Sequence, residues 1–153
     1  MGNVNPLISV LLVDDDRFSR EVIRQILTSF FSHIYIVEAA SGEEAIERIN
    51  LLSSMSSICY GDAGLVNFDF IFLDVFMPEM DAVSFFHAAY LTKAREVSKV
   101  VLVSGGDEGV LNAIFKYSKL LGWSAISCVD KSKLPHSMIE TYALMQKIVK
   151  NKV

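Results

Sequence analysis

Short runs of branched and aromatic apolar residues alternate along this chain with longer segments whose apolar positions recur every three or four residues. The first run, ISVLLV at residues 8–13, is apolar almost without interruption. Continuous rather than alternating apolarity predicts a strand covered on both faces, as in a parallel sheet. Asp14, Asp15 and Asp16 follow at its carboxyl end. Phe18, Val22, Ile26 and Phe30, with Ile23 and Leu27 beside them, then stand at the spacing of an amphipathic helix. A second strand is predicted over Ile34–Val37. Ser41 and Glu44 have capping-box spacing at the head of a helix whose apolar face is Ala45, Ile46, Ile49 and Leu52.

From Ser53 to Asn67 the pattern dissolves into a polar, Gly-containing stretch that reads as an extended loop. Phe68–Leu73 predicts a third strand ending on Asp74, and Met77-Pro78 turns the chain away from it. A helix over about residues 82–92 precedes strand Lys99–Val103, which ends on Ser104. Gly105, Gly106 and Gly109 loosen the entry to another helix running to about Leu121. A fifth strand is predicted at Ala125–Val129, and Pro135 suits the first position of a last helix striped by Met138, Tyr142, Met145 and Val149. Five strands alternating with helices predict right-handed crossovers and a doubly wound α/β sandwich.

With 153 residues the chain has room for one ordinary domain, placed here at residues 7–151, with no output domain expected after the last helix. At 52% hydrophobic it supports a buried core without disulfides or a structural metal. A net charge of −4 argues against sequence-independent binding to nucleic acid. Cys59 and Cys128 have no metal-ligand spacing and read as reduced thiols. No signal peptide opens the chain, and no apolar run approaches the ~20 residues of a membrane span, so a cytoplasmic protein without membrane contact is expected.

In doubly wound sheets, ligands sit beyond the carboxyl ends of the strands. There the sequence places Asp14, Asp15 and Asp16 after strand one, Asp74 after strand three, Ser104 after strand four and Lys131 after strand five. Crowded carboxylates raise each other's pKa unless a positive charge joins them, and Mg²⁺ suits such a site because it takes one or two carboxylates and phosphate oxygens. The chemistry this suggests is attack by one aspartate on a phosphoryl donor to give an acyl phosphate. Mg²⁺, the Lys131 ammonium and the Ser104 hydroxyl would neutralise the developing charge. Each residue taken singly also fits a helix cap, a turn former or a solvated side chain, and the pattern alone leaves both readings open.

LLVDDD at 11–16, FIFLDVFMPEMD at 70–81, VLVSGG at 101–106 and the lysine of SCVDKS resemble, in order and over nearly the whole chain, the receiver domain of two-component response regulators. The resemblance implies a flavodoxin-like (βα)5 sandwich with strand order 2-1-3-4-5. It implies Asp74 as the residue phosphorylated by a histidine kinase or phosphotransfer protein, with Ser104 and Lys131 assisting. It further implies Mg²⁺ held by Asp15, Asp74 and the Phe76 backbone carbonyl, with Asp14 acting mainly through water. Output would pass to a downstream protein target. The family also points to the last two helices and fifth strand as a dimer or partner face, to which Phe115, Tyr117 and Ile139 are assigned.

Several positions depart from the family pattern. Ala82 and Gly105 replace the usual Gly and Ala, the latter opening the pocket; Ser132 replaces the usual Pro, removing a cis Lys–Pro bond. Cys128 stands where an inward-swinging aromatic is usual, which weakens the expected switch. Residues 104–132 resemble receivers attached to cyclic-di-GMP phosphodiesterases. Two other readings compete: a phosphorylation-independent interaction module on the same fold, and a haloacid-dehalogenase-like phosphatase. The latter expects a second acid two residues after the nucleophile, where this chain has Phe76.

Overall fold

Each apolar run becomes a strand and each periodic segment a helix, because only parallel pairing with helices on both faces buries so much continuous apolar chain. The computed structural model describes residues 5–59 and 67–152. Its elements are β1 (Ile8–Val13), α1 (Arg17–Phe30), β2 (Ile34–Ala39), α2 (Gly42–Cys59), β3 (Phe70–Asp74), α3 (Ala82–Ala88), α4 (Ala94–Val97), β4 (Lys99–Ser104), α5 (Glu108–Leu120), β5 (Ser124–Asp130) and α6 (Ile139–Lys150). The five strands pair in parallel in the order β2-β1-β3-β4-β5, the flavodoxin-like order expected.

Alternation along each strand sends neighbouring residues to opposite faces. Ile8, Val10 and Leu12 of β1, with Phe70 and Phe72 of β3, pack on Ile23 and Leu27 of α1 and Met138 and Met145 near α6. Leu11, Val13, Ile71 and Leu73 face the other way, onto Ala45 and Ile49 of α2 and Phe85 and Phe86 of α3. Each such side chain fully buried contributes about 1.5–3 kcal/mol. Trp123 joins the second layer between Phe85 and Phe86, and its indole N–H donates to the Phe86 carbonyl at 3.2 Å, so the buried polar atom is satisfied.

Three boundaries differ from the sequence reading by more than two residues. The predicted loop is helical as far as Cys59, and residues 60–66 lie outside the described residues. Its serines do not stop the helix: no Gly or Pro intervenes before Cys59, and the Ser54 hydroxyl donates back to the Asn50 carbonyl at 2.9 Å. The helix predicted over 82–92 instead breaks after Ala88. There the Thr92 hydroxyl donates to the Ala89 carbonyl at 2.7 Å and closes a turn before α4. Pro135 does not open α6; single 3-10 turns at Lys131–Lys133 and His136–Met138 come first, and the Leu134–Pro135 peptide is cis.

Ser41 caps α2 as expected, while the return bond of Glu44 passes over the cap residue to the one before it. Ser41 Oγ accepts the Glu44 N–H at 3.1 Å, and Glu44 reaches back to the Ala40 N–H at 2.8 Å. Gly42, in the first turn of α2, is where Met80 crosses: a Cβ there would lie 2.4 Å from Met80 Sδ. Glycine at 42 therefore lets the loop after β3 dock on α2. Among the described residues no helix is long and apolar enough to cross a membrane.

Candidate functional site

The strand ends deliver their polar residues to one edge of the sheet. Asp14 and Asp74 continue the alternation of Leu12 and Phe72, and Lys131 that of Val129, so all three leave the sheet on the α1/α6 side. Lys131 Nζ lies 2.5 Å from Asp14 Oδ2 and 3.1 Å from Asp74 Oδ2, bridging two buried carboxylates. Lys133, by contrast, is exposed and sits 3.6 Å from Asp130. Carboxylate oxygens of Asp14, Asp15 and Asp74 all lie within 4.8 Å of one another.

Backbone N–H groups hold the acids in place. Asp14 Oδ1 accepts the Asp16 N–H at 2.9 Å, and Asp74 Oδ1 accepts the Phe76 N–H at 3.2 Å. Asp14 Oδ2 is buried and, beyond its ion pair with Lys131, accepts no hydrogen bond. Asp16 is outside this cluster: it caps α1, accepting from the Phe18 N–H and the Ser19 hydroxyl.

Burial first, and the Asp14 charge second, push the Asp74 carboxyl up from its usual 3.8 to about 6, against the opposing pull of Lys131 and the Phe76 N–H. Burial draws the Lys131 ammonium down, but its bonds to Asp14 and Asp74 outweigh this and hold it above its usual value. The cluster thus holds three carboxylates and one ammonium, which pairs with two of them, a negative excess that suits a hard divalent cation.

Ser104 is buried at the end of β4, and its hydroxyl oxygen accepts the Gly106 N–H at 2.9 Å. The Phe76 ring, exposed after β3, lies over this turn: a Cβ on Gly106 would stand 3.0 Å from Phe76 Cε2 and 3.3 Å from Ser104 Oγ. A methyl at Gly105 would meet only Lys131 Cβ, at an ordinary 3.9 Å, so glycine there leaves a small space unfilled. Cys128 is a half-buried free thiol whose pKa burial raises, packed against the α2/α3 layer. The side chain of Cys59 lies outside the described residues.

The sequence reading did not single out Arg20. Its guanidinium donates to the Asp14 carbonyl at 2.6 Å and pairs with Glu38 at 3.2 Å. In sequence it looks like any cation on the polar face of α1. The one available signal was its position a turn after three acids.

Residues 10–131 match the family described as the response regulator receiver domain. A protein-glutamate methylesterase/protein-glutamine glutaminase of Myxococcus xanthus is 32% identical over 108 residues, covering 71% of this chain and 26% of that protein. A probable C4-dicarboxylate response regulator of Halalkalibacterium halodurans is 27% identical over 116 residues, covering 73% of this chain and 42% of the relative. The chain thus spans between about a quarter and two fifths of the length of these relatives. Among solved structures, the receiver domain of the histidine kinase CKI1 from Arabidopsis thaliana, complexed with Mg²⁺, superposes with a TM-score of 0.67 at 25% identity over 94% of both chains. A two-component response regulator from Cytophaga hutchinsonii gives 0.69 at 21% identity over 92% of this chain and 98% of the other, a likeness of fold.

Proposed function

The chain belongs to the response regulator receiver domain family, and from that premise we propose that Asp74 accepts a phosphoryl group from a histidine kinase or phosphotransfer protein. The observation that carries this is the Lys131 ammonium bridging Asp14 and Asp74 within a three-carboxylate cluster. An Asp74 oxygen attacks phosphorus, the donor's P–N bond breaks with its electron pair leaving on the imidazole, and an acyl phosphate results. Lys131 then turns from carboxylate partner to phosphoryl partner, and the Ser104 hydroxyl, whose oxygen already accepts the Gly106 N–H, has its proton free to donate. Asp15, Asp74 and the Phe76 carbonyl are the groups to hold Mg²⁺, with Asp14 beside them; the bound ion supplies neutralisation of the phosphoryl oxygens. Phe76 narrows the approach of water and of donors from above.

Residues 7–151 act as one receiver unit in this reading, a signalling domain whose only chemistry is its own phosphorylation and dephosphorylation. Residues 104–132 resemble receivers attached to cyclic-di-GMP phosphodiesterases, a likeness that does not name an output; the signal passes to a downstream protein target through contacts between the two proteins. The elements α5 and α6 that flank β5 carry exposed Val110, Leu120 and Leu144, which supports self-association there, whereas Ile139 borders a groove lined by Val22, Ile26 and Phe30 of α1. Of the other residues assigned to the α5–β5–α6 face, Phe115 is partly buried against the core, and the Tyr117 hydroxyl bonds His87 of α3 at 2.8 Å. The small Cys128 side chain favours weak coupling between site and face, and so keeps the interaction-module reading as the rival.

Intact-mass measurement after incubation with Mg²⁺ and acetyl phosphate tests the proposal. One added phosphoryl group is expected on the wild type and none on Asp74→Asn; equal labelling of both would refute it. Sedimentation velocity with and without beryllofluoride tests the face, expected to show more dimer with the mimic.

A further inference from the structure

Asp15 is the one member of the acid cluster without a side-chain partner. Among the described residues no hydrogen bond or ion pair reaches its carboxylate, and it is exposed, whereas Asp14 and Asp74 are buried and anchored by Lys131 and backbone N–H groups. What aims the Asp15 side chain is therefore its backbone, and above all the peptide that joins it to Asp14. Rotation of that peptide plane swings the Asp15 Cα–Cβ bond.

The carbonyl of this peptide is the atom that Arg20 grips, at 2.6 Å. Arg20 is itself held: its side chain is only 14% exposed, and its Nε pairs with Glu38 Oε1 at 3.2 Å. Burying a guanidinium is costly unless its donors are met, so the pairing with Glu38 fixes where the fork points. Glu38 belongs to β2 and stands opposite Leu12 of β1, two residues before Asp14. Arg20 belongs to the first turn and a half of α1, whose cap is Asp16. Helix, edge strand and central strand thus converge on one carbonyl. Arg24, one turn further along, also bonds Glu38 but makes no bond to the Asp14 peptide.

We propose that Arg20, locked by Glu38, is a positioning residue that fixes the Asp14–Asp15 peptide and so aims the Asp15 carboxylate into the cation site. The proposal rests on reading Asp15 as a cation ligand. It makes a prediction opposite in sign to simple electrostatics. Arg20 is a cation beside a site for a cation, so removing its charge alone should tighten Mg²⁺ binding. Removing a clamp should loosen it, by about tenfold on the scale of groups that orient metal ligands.

The test is a Mg²⁺ titration of the whole chain followed by amide NMR, on wild type, Arg20→Gln, Arg20→Lys and Arg24→Gln, with urea unfolding in EDTA to establish that each is folded. The clamp predicts about tenfold weaker Mg²⁺ binding for Arg20→Gln and no rescue by Arg20→Lys, which keeps the charge, so that a poorly folding Gln variant does not decide the matter alone. Arg24→Gln should stay within about twofold of wild type. Unchanged or tighter binding in the Arg20 variants, or an equal loss in Arg24→Gln, overturns the proposal. Backbone relaxation of the metal-free protein separates the clamp from the cation site. The Asp15 amide order parameter should fall from about 0.85 towards about 0.6 in Arg20→Gln, and an unchanged value overturns the clamp. A wild type with no saturable Mg²⁺ shift would instead remove the cation-site reading.

Discussion

Replacing Asp74 by Asn should make the metal-free protein more stable, though it removes a buried ion-pair partner of Lys131. The folded-state carboxyl sits at about 6 against 3.8 for an ordinary aspartate, and that value already contains the favourable pull of Lys131. An acid whose folded pKa is raised releases its proton from the unfolded chain first, so ionisation favours unfolding. The cost is absent below the unfolded pKa, grows between 3.8 and about 6, and is complete above it. At 1.36 kcal/mol per pKa unit, the shift amounts to about 3 kcal/mol at about pH 7 and roughly half of that at about pH 5. Asn mimics the protonated acid in shape and carries none of this penalty. Urea unfolding in EDTA should therefore show Asp74→Asn about 3 kcal/mol more stable near neutrality, with the gain shrinking on acidification. Saturating Mg²⁺ should narrow the gap by stabilising the wild type. A variant equal to or less stable than wild type at neutral pH, or a gain independent of pH, would refute the reasoning.

Lys131→Ala should slow acetyl phosphate labelling about a hundredfold, because it removes the only cation bridging Asp14 and Asp74 among the described residues. Lys133→Ala, whose side chain is exposed, should stay within about twofold, and a larger defect there would reverse the assignment. Phe76→Ala, by uncovering the turn above Ser104, should speed both labelling and loss of the phosphoryl group several-fold in intact-mass time courses; unchanged rates would show that the ring is no barrier. Gly42→Ala should cost about 1–3 kcal/mol in urea unfolding, since its methyl would strike Met80, and the cost should largely vanish in a Met80→Ala background.

The strand runs, their parallel packing and the chemistry at their ends were legible in the sequence, because two-sided burial leaves a continuous apolar signature and a charge at its end is conspicuous. Asp74 after FIFL and the acids after ISVLLV needed no tertiary information to stand out. Lys131 was legible too, as a lysine close behind the predicted fifth strand. What the sequence did not contain is how far each element runs. The SSMSS stretch looks like a loop yet stays helical, because a helix already nucleated and packed carries weak helix formers along with it. Nor did it contain the register. An irregularity in the β4–β5 ladder skips Ile126, so that Ser104 lies opposite Asp130 and Lys131 falls one step past the strand end, where its ammonium reaches both acids. Contacts between residues distant in sequence were equally hidden: Met80 over Gly42, Phe76 over Gly106, Arg20 between Glu38 and the Asp14 carbonyl. Periodicity reports which face of an element is buried, but not which neighbour buries it; that is decided only when the sheet brings separate segments to the same edge.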